Sequence, residues 1–312
     1  MSPIRRFPVS LMAMAAVAVF TTSAAAAVTT PGDIRTRDAT SPSLSAAPAP
    51  VVSVAGDIAC GTNLDAYNGG RGTATECRQR YTSDLILNSD AVWTLGDHVY
   101  PNATTKQLNA AYGPTWGRKK SVTYPSPGDH DYRADAGASY FTYFGKPAYY
   151  SFNIGDWHVV SLNSEIDHRE NSPQLTWLRL DLSRTGARCV AAFWGESRWT
   201  SGEKGGNASF DPFWRALYAA HADLALTGDV HNYERFAKMS PAGSPDSNGI
   251  RAFVVGTGGR SLHGFGVIQP NSQARQQVFG VLKLTLRPGS YDWRFIDESR
   301  NVRDSGSTAC NN

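Results

Sequence analysis

The side chains best suited to chemistry in this sequence are carboxylates that directly follow a glycine, with imidazole and phenol groups close by. Carboxylate, imidazole and phenolate groups bind metal ions, and an oxygen-rich set favours hard cations. A Gly-Asp pair can also simply mark a turn, so the repetition carries the prediction and no single pair does. The candidates are Asp57, Asp97, Asp129, Glu196 and Asp229, each after a glycine, together with Tyr100, His130 and His231.

Short apolar runs precede most of these carboxylates. Runs of strand length occupy residues 51–55, 91–95, 189–194 and 223–227, and each leads into a glycine followed by an acidic residue. Helix-like stretches lie between them at 75–88, 174–183 and 212–220, whereas 251–255, 278–286 and 291–296 alternate as antiparallel strands do. The alternation predicts an α/β fold, in which the carboxyl ends of the strands deliver these side chains to one sheet edge.

As an ordered set, the motifs resemble the metallophosphoesterase (calcineurin-like) superfamily, most closely its secreted purple acid phosphatase-like branch. The resemblance covers about residues 51–296 and implies a four-layer sandwich of two mixed β-sheets flanked by helices. The motifs that carry it are Gly56-Asp57, Gly96-Asp97-His98-Val99-Tyr100, Gly128-Asp129-His130-Asp131, Trp194-Gly195-Glu196 and Gly228-Asp229-Val230-His231-Asn232-Tyr233-Glu234-Arg235.

The resemblance also implies a role for each matching residue. Asp57, Tyr100 and His231 would bind a first metal, and Asp97 would bridge it to a second. His130 would donate to the phosphate or the leaving oxygen, with Asp131 orienting it. The implied reaction is phosphomonoester hydrolysis by metal-bound hydroxide, with two cations drawn from Fe, Mn, Zn, Mg or Ca.

The second metal position departs from the pattern. Asp129 stands where the family has asparagine, Gly195 and Asp229 stand where it has histidines, and Glu196 follows Gly195. One interpretation is a site rebuilt from the oxygens of Asp97, Asp129, Asp229 and Glu196. The alternative is an impaired phosphatase that persists as a secreted binding protein, since a glycine supplies no side-chain ligand.

The N-terminus predicts export. Arg5 and Arg6 precede an apolar run that ends at Phe20, and small residues follow, as in a signal peptide over 1–27. Residues 28–50 read as a flexible Ser/Thr/Ala/Pro-rich spacer, and 51–312 as the metallophosphoesterase domain. The expected localisation is therefore secreted and extracellular. The even cysteine count allows several disulfide pairings, of which Cys60–Cys77 is favoured because it closes a local loop.

Charge and composition exclude several other functions. The net charge is +3, and removing the leader with Arg5 and Arg6 leaves 3 − 2 = +1, with no basic run of the kind that binds nucleic acid. No membrane association is expected after leader cleavage. No G-x-S-x-G nucleophile motif is present. We expect a monomer that acts on a small phosphate ester, with residues 163–165 lining its pocket.

Overall fold

A computed structural model describes residues 48–311 of the chain. The predicted leader, and the predicted spacer up to residue 47, lie outside the described residues. Helices occupy Gln79–Leu85 (α1), Thr105–Gln107 (α2), Asp129–Tyr132 (α3), Ala138–Phe144 (α4), Pro173–Arg184 (α5) and Asp211–Ala219 (α6), with a π-helical turn at Leu108–Tyr112 and 3₁₀ turns at Asp65–Gly70, Trp116–Val122 and Ala208–Phe210.

The strands are mostly short, and several are completely buried. They are Val51–Ala55 (β1), Ala59–Cys60 (β2), Ala91–Leu95 (β3), Val99–Tyr100 (β4), Thr123–Ser126 (β5), Tyr150–Ile154 (β6), Trp157–Ser161 (β7), Cys189–Trp194 (β8), Leu224–Thr227 (β9), Tyr233–Met239 (β10), Ile250–Val255 (β11), Ser272–Gln276 (β12), Gly280–Arg287 (β13), Ser290–Asp297 (β14) and Val302–Ala309 (β15).

Two mixed sheets face each other within the described residues. The first has the order β15-β14-β13-β1-β3-β5, with β1, β3 and β5 parallel, and the second has the order β12-β10-β11-β9-β8-β7-β6, with β7, β8, β9 and β11 parallel. Helix α1 packs on the outside of the first sheet, and α5 and α6 pack on the second. This arrangement confirms the predicted four-layer α/β sandwich.

The main core lies between the two sheets. Trp93 on β3 stacks on Phe193 of β8, with ring centroids 5.5 Å apart and planes 10° apart. A second core lies between the second sheet and its helices, where Leu178 of α5 and Phe213 of α6 are fully buried beside Trp194. Burying such side chains stabilises the fold by roughly 1.5–3 kcal/mol each, so the strand ends rest on a rigid base.

The disulfides join Cys60 to Cys77 and Cys189 to Cys310, which confirms the favoured pairing. The backbone at Cys77 also explains why α1 begins later than the helix predicted over 75–88. Cys77 has a left-handed φ of 64°, and its amide donates to the Arg260 carbonyl, so the chain cannot become helical before residue 78. Among the helices described, none is long and apolar enough to cross a membrane.

Candidate functional site

The carboxylates reach a common edge because glycines let the strand ends approach each other closely. A β-carbon on Gly56, at the end of β1, would lie 2.6 Å from the Leu95 carbonyl oxygen, and one on Gly228, at the end of β9, would lie 2.4 Å from the same atom. Any larger residue would separate the strand ends. The aspartates that follow, Asp57 and Asp229, share a positive φ with Asp97, of 57°, 62° and 54° respectively. Non-glycine residues rarely adopt this conformation, and it concentrates at functional sites.

Four of the predicted ligands converge around the phenol oxygen of Tyr100. That oxygen lies 2.5 Å from Oδ1 of Asp57, 2.6 Å from Oδ2 of Asp97 and 3.0 Å from Nε2 of His231. Nε2 of His231 is also 3.0 Å from Oδ1 of Asp57. All four side chains are buried. They form what we call the first cluster, Asp57, Asp97, Tyr100 and His231, and its members are those expected at the first metal.

The electrostatics of the first cluster favour a cation. Burial and the facing carboxylate of Asp57 raise the pKa of Asp97 well above its usual value, and burial and both carboxylates do the same to the pKa of Tyr100. Against the effect of burial, His231 and Tyr100 hold the pKa of Asp57 below its usual value. Oδ2 of Asp57 is buried with no hydrogen-bond partner among the described residues. A metal ion would satisfy that oxygen and neutralise the carboxylates, so the first cluster fits one.

His231 is held in place by groups behind it. Its Nδ1 lies 2.7 Å from the Ser261 hydroxyl, which leaves Nε2 facing the first cluster. The ring of His263 stacks on it at 4.0 Å with planes 9° apart. Partners of this kind fix the orientation of a metal-binding imidazole. Neither supporting residue belongs to a recognisable motif, so the sequence offered no signal for them.

The ring of His130 packs against that of Tyr100, with ring centroids 3.9 Å apart. Its backbone amide donates to Oδ1 of Asp97 at 3.0 Å, and its Nδ1 is 2.6 Å from the carbonyl oxygen of Pro101. Because that carbonyl can only accept, Nδ1 must carry a proton, and Nε2 is the atom left to exchange one. Burial lowers the pKa of His130 below its usual value.

Asp131 has a different partner from the one expected. Its Oδ2 accepts from Nδ1 of His98 at 2.9 Å and from the amides of Asp97 and Gly128 at 3.0 Å each. This corrects the expectation that Asp131 orients His130, a role taken by Pro101. Asp131 is completely buried beneath the strand ends and holds the backbone of Asp97 in position. His98 is completely buried as well, so it serves the structure of the site.

The carboxylates expected at the second metal are bound to other side chains. Asp129 forms an ion pair with Arg133, one helical turn further on, and Oδ1 of Asp229 accepts from Nζ of Lys204 at 2.8 Å. Oε1 of Glu196 accepts from the side-chain NH2 group of Asn207 at 2.9 Å. Ligand-type atoms of Asp97, Asp129 and His130 do lie within 4.8 Å of one another, as in groups able to hold a metal.

Gly195 is required by packing. A β-carbon there would lie 2.6 Å from the Ser164 hydroxyl and 2.8 Å from the Pro127 carbonyl oxygen. A histidine at this position would displace the neighbouring strand end. The glycine is therefore built into the site and is more than a missing ligand.

A cavity of about 300 Å³ opens beside the first cluster. Glu165, which was expected to line it, does so, and burial raises the pKa of its carboxyl to about 7. Lys204 and Arg133 are the charged residues that sequence reasoning missed. The spacing of Asp129 and Arg133 on a helix was a signal for their pairing, whereas nothing local connects Lys204 with Asp229. The lining residues are Leu95, Asp97, Gly128, Asp129, Glu165, Gly195, Glu196, Lys204 and Asp229.

The chain is similar in sequence to purple acid phosphatases, although no family model matches it. Purple acid phosphatase 18 of Arabidopsis thaliana is 32% identical over 120 residues, which cover 36% of this chain and 26% of that protein. A phosphoenolpyruvate phosphatase of Allium cepa is 24% identical over 272 residues, or 76% of this chain and 51% of that one. The chain thus spans about half or less of the length of these curated relatives.

Solved structures share the fold. A purple acid phosphatase from yellow lupin (Lupinus luteus) seeds superposes with a TM-score of 0.69 at 19% identity, covering 83% of this chain and 53% of that chain. GAP50, described as the anchor in the inner membrane complex of Plasmodium, superposes with a TM-score of 0.63 at 12% identity, covering 85% of this chain and 90% of that chain. These similarities confirm the predicted resemblance in sequence and fold. Because one neighbour is a phosphatase and the other is named for anchoring, the fold alone does not decide activity.

Proposed function

We propose that this chain, which shares its fold with purple acid phosphatases, is an exported metal-dependent phosphoesterase that hydrolyses small phosphate monoesters. The observation that carries the proposal is the first cluster, in which two carboxylates, a phenol and an imidazole converge within 2.5–3.0 Å and Oδ2 of Asp57 has no hydrogen-bond partner within residues 48–311. The similarity to named phosphatases supports the same reaction class.

The residues that would hold the metal are Asp57, Asp97, Tyr100 and His231. When bound there, the metal would polarise a phosphate oxygen and lower the pKa of water. A phenolate ligand from Tyr100 would favour Fe³⁺, as the resemblance to purple acid phosphatases implies. The same resemblance implies a two-metal centre.

The chain's own groups would position the substrate and move the proton. The Asp131 carboxylate accepts from the backbone amide of Asp97. The Asp97 carboxylate in turn accepts from the backbone amide of His130. Nε2 of His130 lies 3.9 Å from Oδ1 of Asp129, a residue that lines the cavity. From there, when the ring is doubly protonated, Nε2 would donate its proton to the departing alcohol oxygen. General acid catalysis of this kind contributes about 10²–10⁴-fold.

Hydrolysis of p-nitrophenyl phosphate by purified protein, with Fe, Mn²⁺, Zn²⁺, Mg²⁺ and Ca²⁺ added in turn, tests this function. Bis(p-nitrophenyl) phosphate in parallel distinguishes a monoesterase from a diesterase. Asp57→Asn should abolish turnover and lower bound metal, whereas Asp65→Asn, in the exposed 3₁₀ turn, should do neither. No turnover with any metal would favour the second candidate, a secreted binding protein. Gly195 supports that candidate, because a glycine supplies no side-chain ligand to a second metal.

A further inference from the structure

We infer that the ammonium group of Lys204, in place of a second metal ion, supplies the positive charge at the second cation position and contacts the substrate phosphate. This inference rests on the proposed function, since it concerns the same site. It predicts a one-metal centre with a fixed lysine beside it.

The first observation is the charge balance. The carboxylates of Asp129 and Asp229 each have a basic partner, Arg133 and Lys204 respectively. In the first cluster, by contrast, no lysine or arginine of residues 48–311 lies within ion-pair distance of Asp57, whose only such partner is an imidazole. Carboxylates already neutralised by fixed cations bind a further cation weakly, because the ammonium and the metal repel each other.

The second observation is the loss of donors. Gly195 has no side chain and no room for one, and Glu196 is turned toward Asn207. The hydroxyl of Ser197, next along the chain, is 2.8 Å from Thr227 and donates to the Gly228 carbonyl at 3.1 Å. In the described structure, Gly195 and Ser197 thus offer no free side-chain ligand, and Glu196, which lines the cavity, has one carboxylate oxygen occupied by Asn207. The group best placed for a second metal is therefore that of Asp97, Asp129 and His130.

The third observation is that the loop carrying Lys204 is held rigidly. Gly202 pairs with Phe265 in an isolated β-bridge, and a β-carbon on Gly202 would lie 2.2 Å from Val230. The amide of Gly205 donates to the Gly202 carbonyl at 2.9 Å, which closes a tight turn around Lys204. A lysine fixed in this way is pre-organised, so little entropy is lost when it binds an anion.

Lys204 has capacity left for a ligand. An ammonium has three donors, and its one hydrogen-bond partner among residues 48–311 is Asp229, while its side chain is 54% exposed at the cavity. A lysine is positively charged at neutral pH, so the ammonium places a positive charge where a phosphate oxygen would enter. Lysine commonly binds phosphate as a point charge.

Metal stoichiometry tests the inference without turnover. We expect one equivalent of Mn²⁺ or Zn²⁺ per wild-type chain by equilibrium dialysis and elemental analysis. Lys204→Gln, which removes the charge and keeps a polar side chain, should take up a second equivalent at higher metal concentration. The exposed Lys106→Gln is the matched control and should behave as wild type.

Calorimetric binding of inorganic phosphate to the metal-loaded protein is the second readout. Lys204→Gln should weaken phosphate binding by about 10-fold or more, and Lys204→Arg should restore most of it. Two tightly held equivalents in wild type, none at all, or unchanged phosphate affinity in Lys204→Gln would each overturn the inference. If p-nitrophenyl phosphate is not hydrolysed while these binding results hold, the proposed function fails and the lysine's role stands.

Discussion

The phenol oxygen of Tyr100 lies 2.5 Å from Oδ1 of Asp57, although the two residues belong to different strand-end segments. Tyr100 is the last residue of β4, and Asp57 follows β1 by two positions. The short pairing of β2 with β4, which sets Ala59 opposite Val99, brings these segments together.

Tyr100→Phe should remove a metal ligand and leave the fold intact. The phenylalanine ring can still pack against His130, so only the oxygen is lost. We expect p-nitrophenyl phosphatase activity and metal affinity to fall by at least about 100-fold. Losing a residue that only supports a metal ligand costs about 10–100-fold, and losing the ligand itself should cost no less. If Fe³⁺ is bound, the visible absorption should disappear as well. Tyr218→Phe, on α6, is the matched control, and equal metal content in both variants would contradict the assignment.

His130→Ala should lower kcat and leave bound metal unchanged. Its Nδ1 is committed to Pro101, so its expected contribution is the proton exchanged at Nε2. We expect a loss of about 10²–10⁴ in kcat, measured beside elemental analysis of the same sample. Exposed His221→Asn, a change that tolerates the left-handed φ of 55°, serves as control. Loss of metal in His130→Ala would instead make His130 a ligand.

Gly195→Ala should destabilise the protein by about 1–3 kcal/mol, because its β-carbon would overlap Ser164 and the Pro127 carbonyl. Urea unfolding measures the change. Gly186→Ala, where an added β-carbon meets nothing within 4 Å, should be close to neutral. Adding Ser164→Ala should recover part of the loss but not the contribution of the backbone carbonyl. Wild-type stability in Gly195→Ala would show that the strand ends can move apart.

The carboxyl of Asp223, next to the Cys189–Cys310 disulfide, predicts a pH dependence of stability. Burial raises its pKa from 3.8 to about 6. Between about pH 4 and 6 the folded state therefore holds more protons than the unfolded state, so the free energy of unfolding falls as the pH rises and stays lower above that window.

Asp223→Asn removes this titration. The stability of the variant relative to wild type should increase by on the order of 1–3 kcal/mol from pH 4 to pH 7, measured by urea unfolding. Asp246→Asn is the control, because the Tyr218 hydroxyl lowers the pKa of the Asp246 carboxyl. The stability of this variant relative to wild type should therefore decrease as the pH rises. A difference between Asp223→Asn and wild type that does not vary with pH would contradict the assignment.

The sequence by itself determined seven strands, β1, β3, β8, β9, β11, β13 and β14, and its resemblance to a known family named the members of the first cluster. These strands appear in the sequence as apolar or alternating runs, and the Gly-Asp repeats marked where the buried ones end, because glycine permits close approach of the strand ends. The strand predicted over 251–255 begins one residue earlier, at Ile250, and the helix predicted over 212–220 covers Asp211–Ala219. Such local patterns follow from period and turn chemistry.

Only the tertiary structure decided the partners of the second-position carboxylates. Lys204 lies in the loop after β8 and Asp229 follows β9, so folding alone brings them within 2.8 Å of each other. No periodic pattern in the sequence indicates this contact. The same holds for Asp131. The resemblance suggested that Asp131 orients His130, but its carboxylate lies against His98 instead. Residue types limit which chemistry is possible at a strand end, but the charges across the cavity determine which cation can occupy it.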